Sequence, residues 1–204
     1  MLNKIAHIIS VIFHPLLIPS LGVVFILFSD SSSFILPLEL KRLIFYLVCI
    51  LTFILPVSIV PFLKIHGFIE TLKMSNTRER LLPLLITGIL YLTCYYLLNR
   101  FPVVPKYIKA FILATAFSVF VTFIITYFWK ISIHMVGMGG LSGIILASIV
   151  YLPLFIHLYV ISAFLVSGLI GTTRLFLKEH VPLQIYSGYL LGLFTVLAVI
   201  ILYN

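Results

Sequence analysis

Charged side chains are scarce in this chain: only 9% of its 204 residues are Asp, Glu, Lys or Arg, whereas 63% are hydrophobic. A soluble domain carries about 25% charged residues, so this chain has too little polar surface to cover a water-soluble globule. Continuous apolar runs stand where charges are missing, and a run of about 20 such residues can cross a bilayer as a helix. The composition therefore predicts an integral membrane protein and excludes a soluble globular domain.

Acidic side chains are the scarcest charged type, and none of the five lies inside an apolar run. This placement argues against a relay of carboxylates that carries protons through the membrane. Only two cysteines occur, Cys49 and Cys94, and both lie within apolar runs. They form neither a disulfide framework nor a zinc-binding spacing.

The net charge of +8 reflects an excess of Lys and Arg over acids. In a membrane protein such an excess is typical of span ends that face anionic lipid head groups, and it also suits an anionic substrate. We therefore expect membrane lipids as partners and no nucleic acid. The sequence does not fix an oligomeric state.

Seven apolar runs are candidate spans, and the chain between them contains no soluble domain and no repeat. The candidate spans are Ile5–Phe28, Leu43–Phe62, Leu81–Leu98, Ile108–Phe128, Met135–Leu152, Leu154–Ile170 and Leu183–Leu202. They predict an all-α, polytopic transmembrane bundle of six or seven spans, forming a single domain over residues 1–204. The first run is interpreted as a retained membrane helix that Pro15 and Pro19 kink, with His14 in an interhelical hydrogen bond. Gly137, Gly139, Gly140 and Gly143 predict a close contact between helices.

Three polar connections follow the second, fourth and sixth runs: Lys64–Arg80, Trp129–His134 and Gly171–Pro182. Because they are separated by pairs of spans, we expect all three on the membrane face that holds the N-terminus. Together they offer cations that grip phosphoryl oxygens, a hydroxyl, and two imidazoles able to divide the work of nucleophile and acid. The side chains concerned are Lys73, Arg80, Ser132, His134, Arg174 and His180.

The order and spacing of these residues resemble the type 2 phosphatidic acid phosphatase superfamily, whose motifs are KxxxxxxRP, PSGH and SRxxxxxHxxxD. Lys73 and Arg80 match the first motif, with Leu81 in place of its proline. Ser132 and His134 match the serine and histidine of the second, which here reads ISIH. The resemblance covers the chain from the first of these motifs to the third.

The third motif matches at Arg174 and His180, with Thr173 in place of its serine. Gln184 stands where the family has aspartate, and no carboxylate follows Glu179 in the chain. A glutamine oxygen can accept a hydrogen bond from an imidazole N–H, but it brings no charge. Glu179 is expected to point away from His180, since neighbours on a helix do not share a face.

The resemblance implies a helical bundle that dephosphorylates a lipid phosphate without a metal or other cofactor. It implies that His180 attacks phosphorus and becomes a phosphohistidine, that His134 protonates the leaving oxygen, and that Gln184 orients His180. It also implies a set of residues that bind phosphoryl oxygens: Lys73, Arg80, Ser132, Thr173 and Arg174. Candidate substrates are phosphatidic acid, phosphatidylglycerol phosphate, undecaprenyl diphosphate and a lipid A phosphate.

Two other functions stay open at this point. The missing aspartate suits a relative that binds lipid phosphate, or acts as a scaffold, without hydrolysing its ligand. A transporter would gather polar groups near the bilayer midplane, whereas the charges here lie at span ends. Basic residues on the two sides balance once the candidate site is set aside, so only the resemblance implies an orientation, with the site facing the periplasm from a bacterial inner membrane.

Overall fold

The computed structural model describes residues 2–29, 36–72, 74, 76–150 and 156–203, and these residues form helices and connections without a strand. The described part contains nine α-helices: α1 (Leu2–Ile12), α2 (Ile18–Ser29), α3 (Leu38–Cys49), α4 (Leu55–Ile65), α5 (Thr77–Asn99), α6 (Lys106–Phe128), α7 (Ile133–Ala147), α8 (Ile156–Phe176) and α9 (Pro182–Tyr203). A π-helical turn, Ile50–Ile54, joins α3 to α4 without a break. The expected all-α class is confirmed.

Six segments of the described chain are long and apolar enough to cross a membrane: Asn3–Phe28, Leu38–Ile65, Thr77–Asn99, Lys106–Phe128, His157–Phe176 and Pro182–Tyr203. The expected span Met135–Leu152 is wrong in its bounds, because α7 has only 15 residues and ends at Ala147. Its length is about 22 Å, which is short of the roughly 30 Å hydrocarbon core. The tight connection expected at 152–154 lies outside the described residues.

The first apolar run is broken rather than kinked. Proline has no N–H to donate and pushes the residue before it out of the helical region, and His14 before Pro15 is extended, with φ −61° and ψ 135°. The chain then re-enters a helix through one 3₁₀ turn, Pro15–Leu17. The break leaves the carbonyl of Ser10 without its usual helical donor, and that oxygen takes part in the site described below.

Helices α7 and α9 pack with their backbones in contact. A Cβ atom on Gly192 would overlap the carbonyl oxygen of Val136, and one on Gly139 would overlap the carbonyl oxygen of Tyr189. Only glycine permits this approach, so the expected role of the glycine run in helix contact is confirmed. The packing brings together the N-terminal ends of the two helices, which carry the second and third polar connections.

Candidate functional site

The three polar connections meet at one cavity of about 470 Å³. Its polar wall contains Arg80 from α5, His134 from α7, Arg174 from α8, and Glu179 and His180 from the connection between α8 and α9. These residues lie up to a hundred positions apart in the sequence. These five residues therefore bring two guanidinium groups, two imidazoles and one carboxylate to a single space, which a third imidazole, that of His14, also lines.

His180 is oriented by Gln184, which lies in the first turn of α9. The distance from His180 Nδ1 to Gln184 Oε1 is 2.9 Å. Because the amide oxygen accepts, Nδ1 carries the proton of the neutral ring and Nε2 keeps its lone pair. The backbone N–H of Ser132 donates to the carbonyl of Gln184 at 3.2 Å, which ties the start of α9 to the start of α7.

Burial lowers the pKa of the His180 imidazole to about 4. The hydrogen bond to Gln184 raises this pKa, and the positive charges of Lys130, Arg80 and Arg174 lower it. A neutral amide cannot offset those charges as a carboxylate would. His180 is therefore neutral across the physiological range, with a free lone pair.

Arg174 is held by two contacts, one of them with an acid. Its Nη1 is 2.8 Å from Oε2 of Glu179, and its Nη2 donates to the hydroxyl of Ser10 on α1. The Arg174 side chain is only 6% exposed and that of Glu179 is 22% exposed. This ion pair is therefore largely shielded from solvent.

Glu179 was expected to point away from His180, as neighbours on a helix do, but the chain is not helical at these two residues, and both side chains line the cavity. Helix α8 ends at Phe176, and Lys178 adopts a positive φ of 53°. The reversal lets the Glu179 N–H donate to the carbonyl of Arg174 at 3.2 Å. The helical rule that separates neighbouring side chains therefore does not apply to Glu179 and His180.

His134 lies in the first turn of α7 and contacts the broken N-terminal segment. Its Nε2 is 3.2 Å from the carbonyl oxygen of Ser10. A carbonyl only accepts, so Nε2 carries a proton and donates it to this bond. Ser10 thus holds both Arg174 and His134, through its hydroxyl and its carbonyl respectively.

The remaining predicted residues are placed less centrally. Arg80 lines the cavity and donates its Nε–H to the carbonyl of Met74 at 2.8 Å. Lys73 lies outside the described residues. Ser132 and Thr173 are buried beside the site but do not line the cavity. The Thr173 hydroxyl donates to a carbonyl of its own helix, and the Ser132 hydroxyl has no partner among the described residues.

His14 lines the same cavity, although the sequence motifs do not include it. Its ring centroid is 5.9 Å from that of His134, with the two planes at 72°. The sequence signal for this fourth part was the pair His14-Pro15, which interrupts the first apolar run. It marks a break in the helix that places His14 at the cavity, not only a kink. The site is therefore built from four parts of the chain rather than three.

Away from the charged wall the cavity is lined by apolar and uncharged side chains. The apolar ones include Pro56, Val57, Val60, Leu84 and Val119. Thr87, Ser118 and Thr122 also line this region, and the hydroxyl of each donates to a carbonyl of its own helix. The cavity therefore combines a polar, cationic region with a largely apolar one, as an amphiphilic ligand requires.

The described residues contain no group of three or more His, Cys, Asp or Glu side chains placed to hold a metal ion. Comparisons with protein-family models, curated proteins and solved structures found no match to this chain. The chemistry of the cavity is therefore the basis on which its function is proposed.

Proposed function

We propose that this protein is a membrane-embedded, metal-independent lipid phosphate phosphatase that works through a phosphohistidine intermediate on His180. The observation that supports this most directly is the neutral imidazole of His180, held through Nδ1 by Gln184 and sharing a cavity with two arginines. A neutral ring with an oriented lone pair is the state that a nitrogen nucleophile requires. The fold supports only the membrane location, and the sequence resemblance supports the reaction.

In the first step, Nε2 of His180 attacks phosphorus and the bond from phosphorus to the lipid oxygen breaks. Arg80 and Arg174 stabilise the charge on the phosphoryl oxygens. An incoming phosphate dianion favours the protonated form of His134, which then passes a proton to the leaving oxygen. For this transfer, Nε2 of His134 exchanges its hydrogen bond to the Ser10 carbonyl for one to the leaving oxygen.

In the second step, water attacks the phosphohistidine and gives its proton to His134, so that inorganic phosphate leaves and His180 is restored. No metal is needed in this scheme because guanidinium groups supply the positive charge. Lys73 is proposed as a third cation on the basis of the first motif alone. Ser132 and Thr173 are proposed as further donors, although reaching the cavity requires their hydroxyls to turn.

A lipid substrate is supported by the shape and location of the cavity. Its charged wall lies at the ends of membrane-spanning helices, and its remaining lining is largely apolar. A phosphate head group at the charged end leaves the adjoining tail among apolar side chains. The proposed substrates are those named above, with the site facing the periplasm of a bacterial inner membrane.

The test is phosphate release from a panel of lipid phosphates by the purified protein in detergent. His180→Ala should reduce the rate by about a thousandfold or more, as loss of a covalent nucleophile does, and a chelator should leave wild-type activity unchanged. His157→Ala is the matched control, because His157 is an exposed histidine near the start of α8. Equal activity of wild type and His180→Ala would refute the assignment.

A second candidate function is binding of lipid phosphate without hydrolysis. Two observations favour it: the partner of His180 is an uncharged amide, and Glu179 already occupies one face of Arg174. A protein of this kind would bind phosphate in the cavity but release none from any lipid in the panel. The same experiment therefore separates the two functions.

A further inference from the structure

His14 is fixed by the break in the first apolar run. The ring nitrogen Nδ1 accepts a hydrogen bond from the backbone N–H of Leu16 at 3.4 Å and so caps the short 3₁₀ turn. A neutral imidazole has one N–H and one acceptor nitrogen. Since Nδ1 is the acceptor, the proton lies on Nε2.

That Nε2–H has no hydrogen-bonding partner among the described residues, although the half-buried ring lines the cavity. His134 differs in this respect, because its Nε2 is bonded to the carbonyl of Ser10. A donor in a partly buried site gains most from an acceptor that a ligand brings. Of these two adjacent imidazoles, His14 is therefore the one whose Nε2–H is available to a ligand.

We propose that His14 is a phosphate-binding residue that donates its Nε2–H to an oxygen of the phosphoryl group. This assignment rests on the proposed function, and it extends the site to a residue that the sequence motifs do not contain. An uncharged donor adds a hydrogen bond to the phosphate without adding another buried cation beside Arg80 and Arg174. The break at Pro15 is then the device that turns this donor toward the phosphate.

Two substitutions separate the two nitrogens of His14. In His14→Asn the side-chain oxygen takes the place of Nδ1, and asparagine is among the best capping residues, so the turn is kept while the Nε2 donor is lost. In His14→Gln the amide N–H reaches the position of Nε2, so the donor is kept while the cap is weakened. The measurements are the affinity for inorganic phosphate by calorimetry, the rate of phosphate release from phosphatidic acid, and the melting temperature.

We expect His14→Asn to weaken phosphate binding on the order of tenfold, the usual cost of one hydrogen bond to a charged group, with an unchanged melting temperature. His14→Gln should bind phosphate nearly as the wild type does. Wild-type affinity in His14→Asn would overturn the proposal, as would a loss of affinity in both variants that follows their melting temperatures.

The role of His14 and the proposed phosphatase function can be refuted independently of each other. If the wild type releases no phosphate, or if His180→Ala is fully active, the phosphatase assignment fails whatever His14 does. If His180→Ala is inactive but His14→Asn behaves as the wild type, only the role of His14 fails.

Discussion

Replacing Gln184 by glutamate places a charge on the partner of His180 without changing its length. The glutamine oxygen now lies 2.9 Å from Nδ1, and a glutamate oxygen of the same reach can make the same bond. If His180 is the nucleophile, its ring gains positive charge as the bond to phosphorus forms. A carboxylate stabilises that charge in the transition state more than an amide does.

The expected gain follows from the strength of that one bond. Hydrogen bonds between neutral groups contribute about 0.5–1.5 kcal/mol, and those to charged groups about 1.5–3 kcal/mol. The difference of about 1–2 kcal/mol corresponds to a rate increase of roughly five- to thirtyfold. The carboxylate also raises the pKa of His180, but from a starting value of about 4 an effect of this size leaves the ring neutral at pH 7.

The assay is the rate of phosphate release from phosphatidic acid in detergent micelles at pH 7, with an NMR titration of the His180 ring alongside it. Gln184→Leu is the matched control, since it fills the space but accepts no hydrogen bond and should slow the reaction. Gln184→Asp should gain less than Gln184→Glu because its side chain is one methylene shorter. If Gln184→Glu raises the pKa of His180 while the rate stays the same or falls, charge does not develop on His180 and it is not the nucleophile.

Two further predictions concern charge in the cavity. Burial and the nearby cations lower the pKa of His180 from 6.5 to about 4. Between pH 6.5 and pH 4 this histidine is therefore protonated in the unfolded chain but neutral in the folded chain. The melting temperature should fall as the pH decreases through this window. His180→Gln should lessen that slope, and an NMR midpoint near 6.5 in the wild type would contradict the reasoning. Glu179→Gln removes the charge paired with Arg174, so inorganic phosphate should bind at least about threefold more tightly while the melting temperature falls. Unchanged affinity with reduced stability would show that Glu179 acts only to hold Arg174 in place.

The sequence was sufficient for the helical class, because continuous apolar runs can cross a bilayer only as helices. It also predicted that the three connections meet, but the parity argument counted Met135–Leu152 as a full span, and α7 is shorter than that. The sequence was insufficient where tertiary structure overrode a rule that holds for local helical geometry. The helical rule applied to Glu179 and His180 does not hold, because α8 ends at Phe176 and the positive φ of Lys178 turns the chain back toward Arg174. Lysine is not a residue type that favours a positive φ, so the sequence does not predict this turn at position 178.

The N-terminal segment shows why the fourth part of the site was missed. Pro15 was visible as a helix breaker, but the consequence of a break depends on what lies beside it in three dimensions. Here the freed carbonyl of Ser10 meets His134, its hydroxyl meets Arg174, and the ring of His14 meets the cavity. His134 and Arg174 each lie more than 100 residues from Ser10 in the chain. A single sequence can therefore indicate where a helix must break, while only the packed bundle shows that this break completes the wall of a charged cavity.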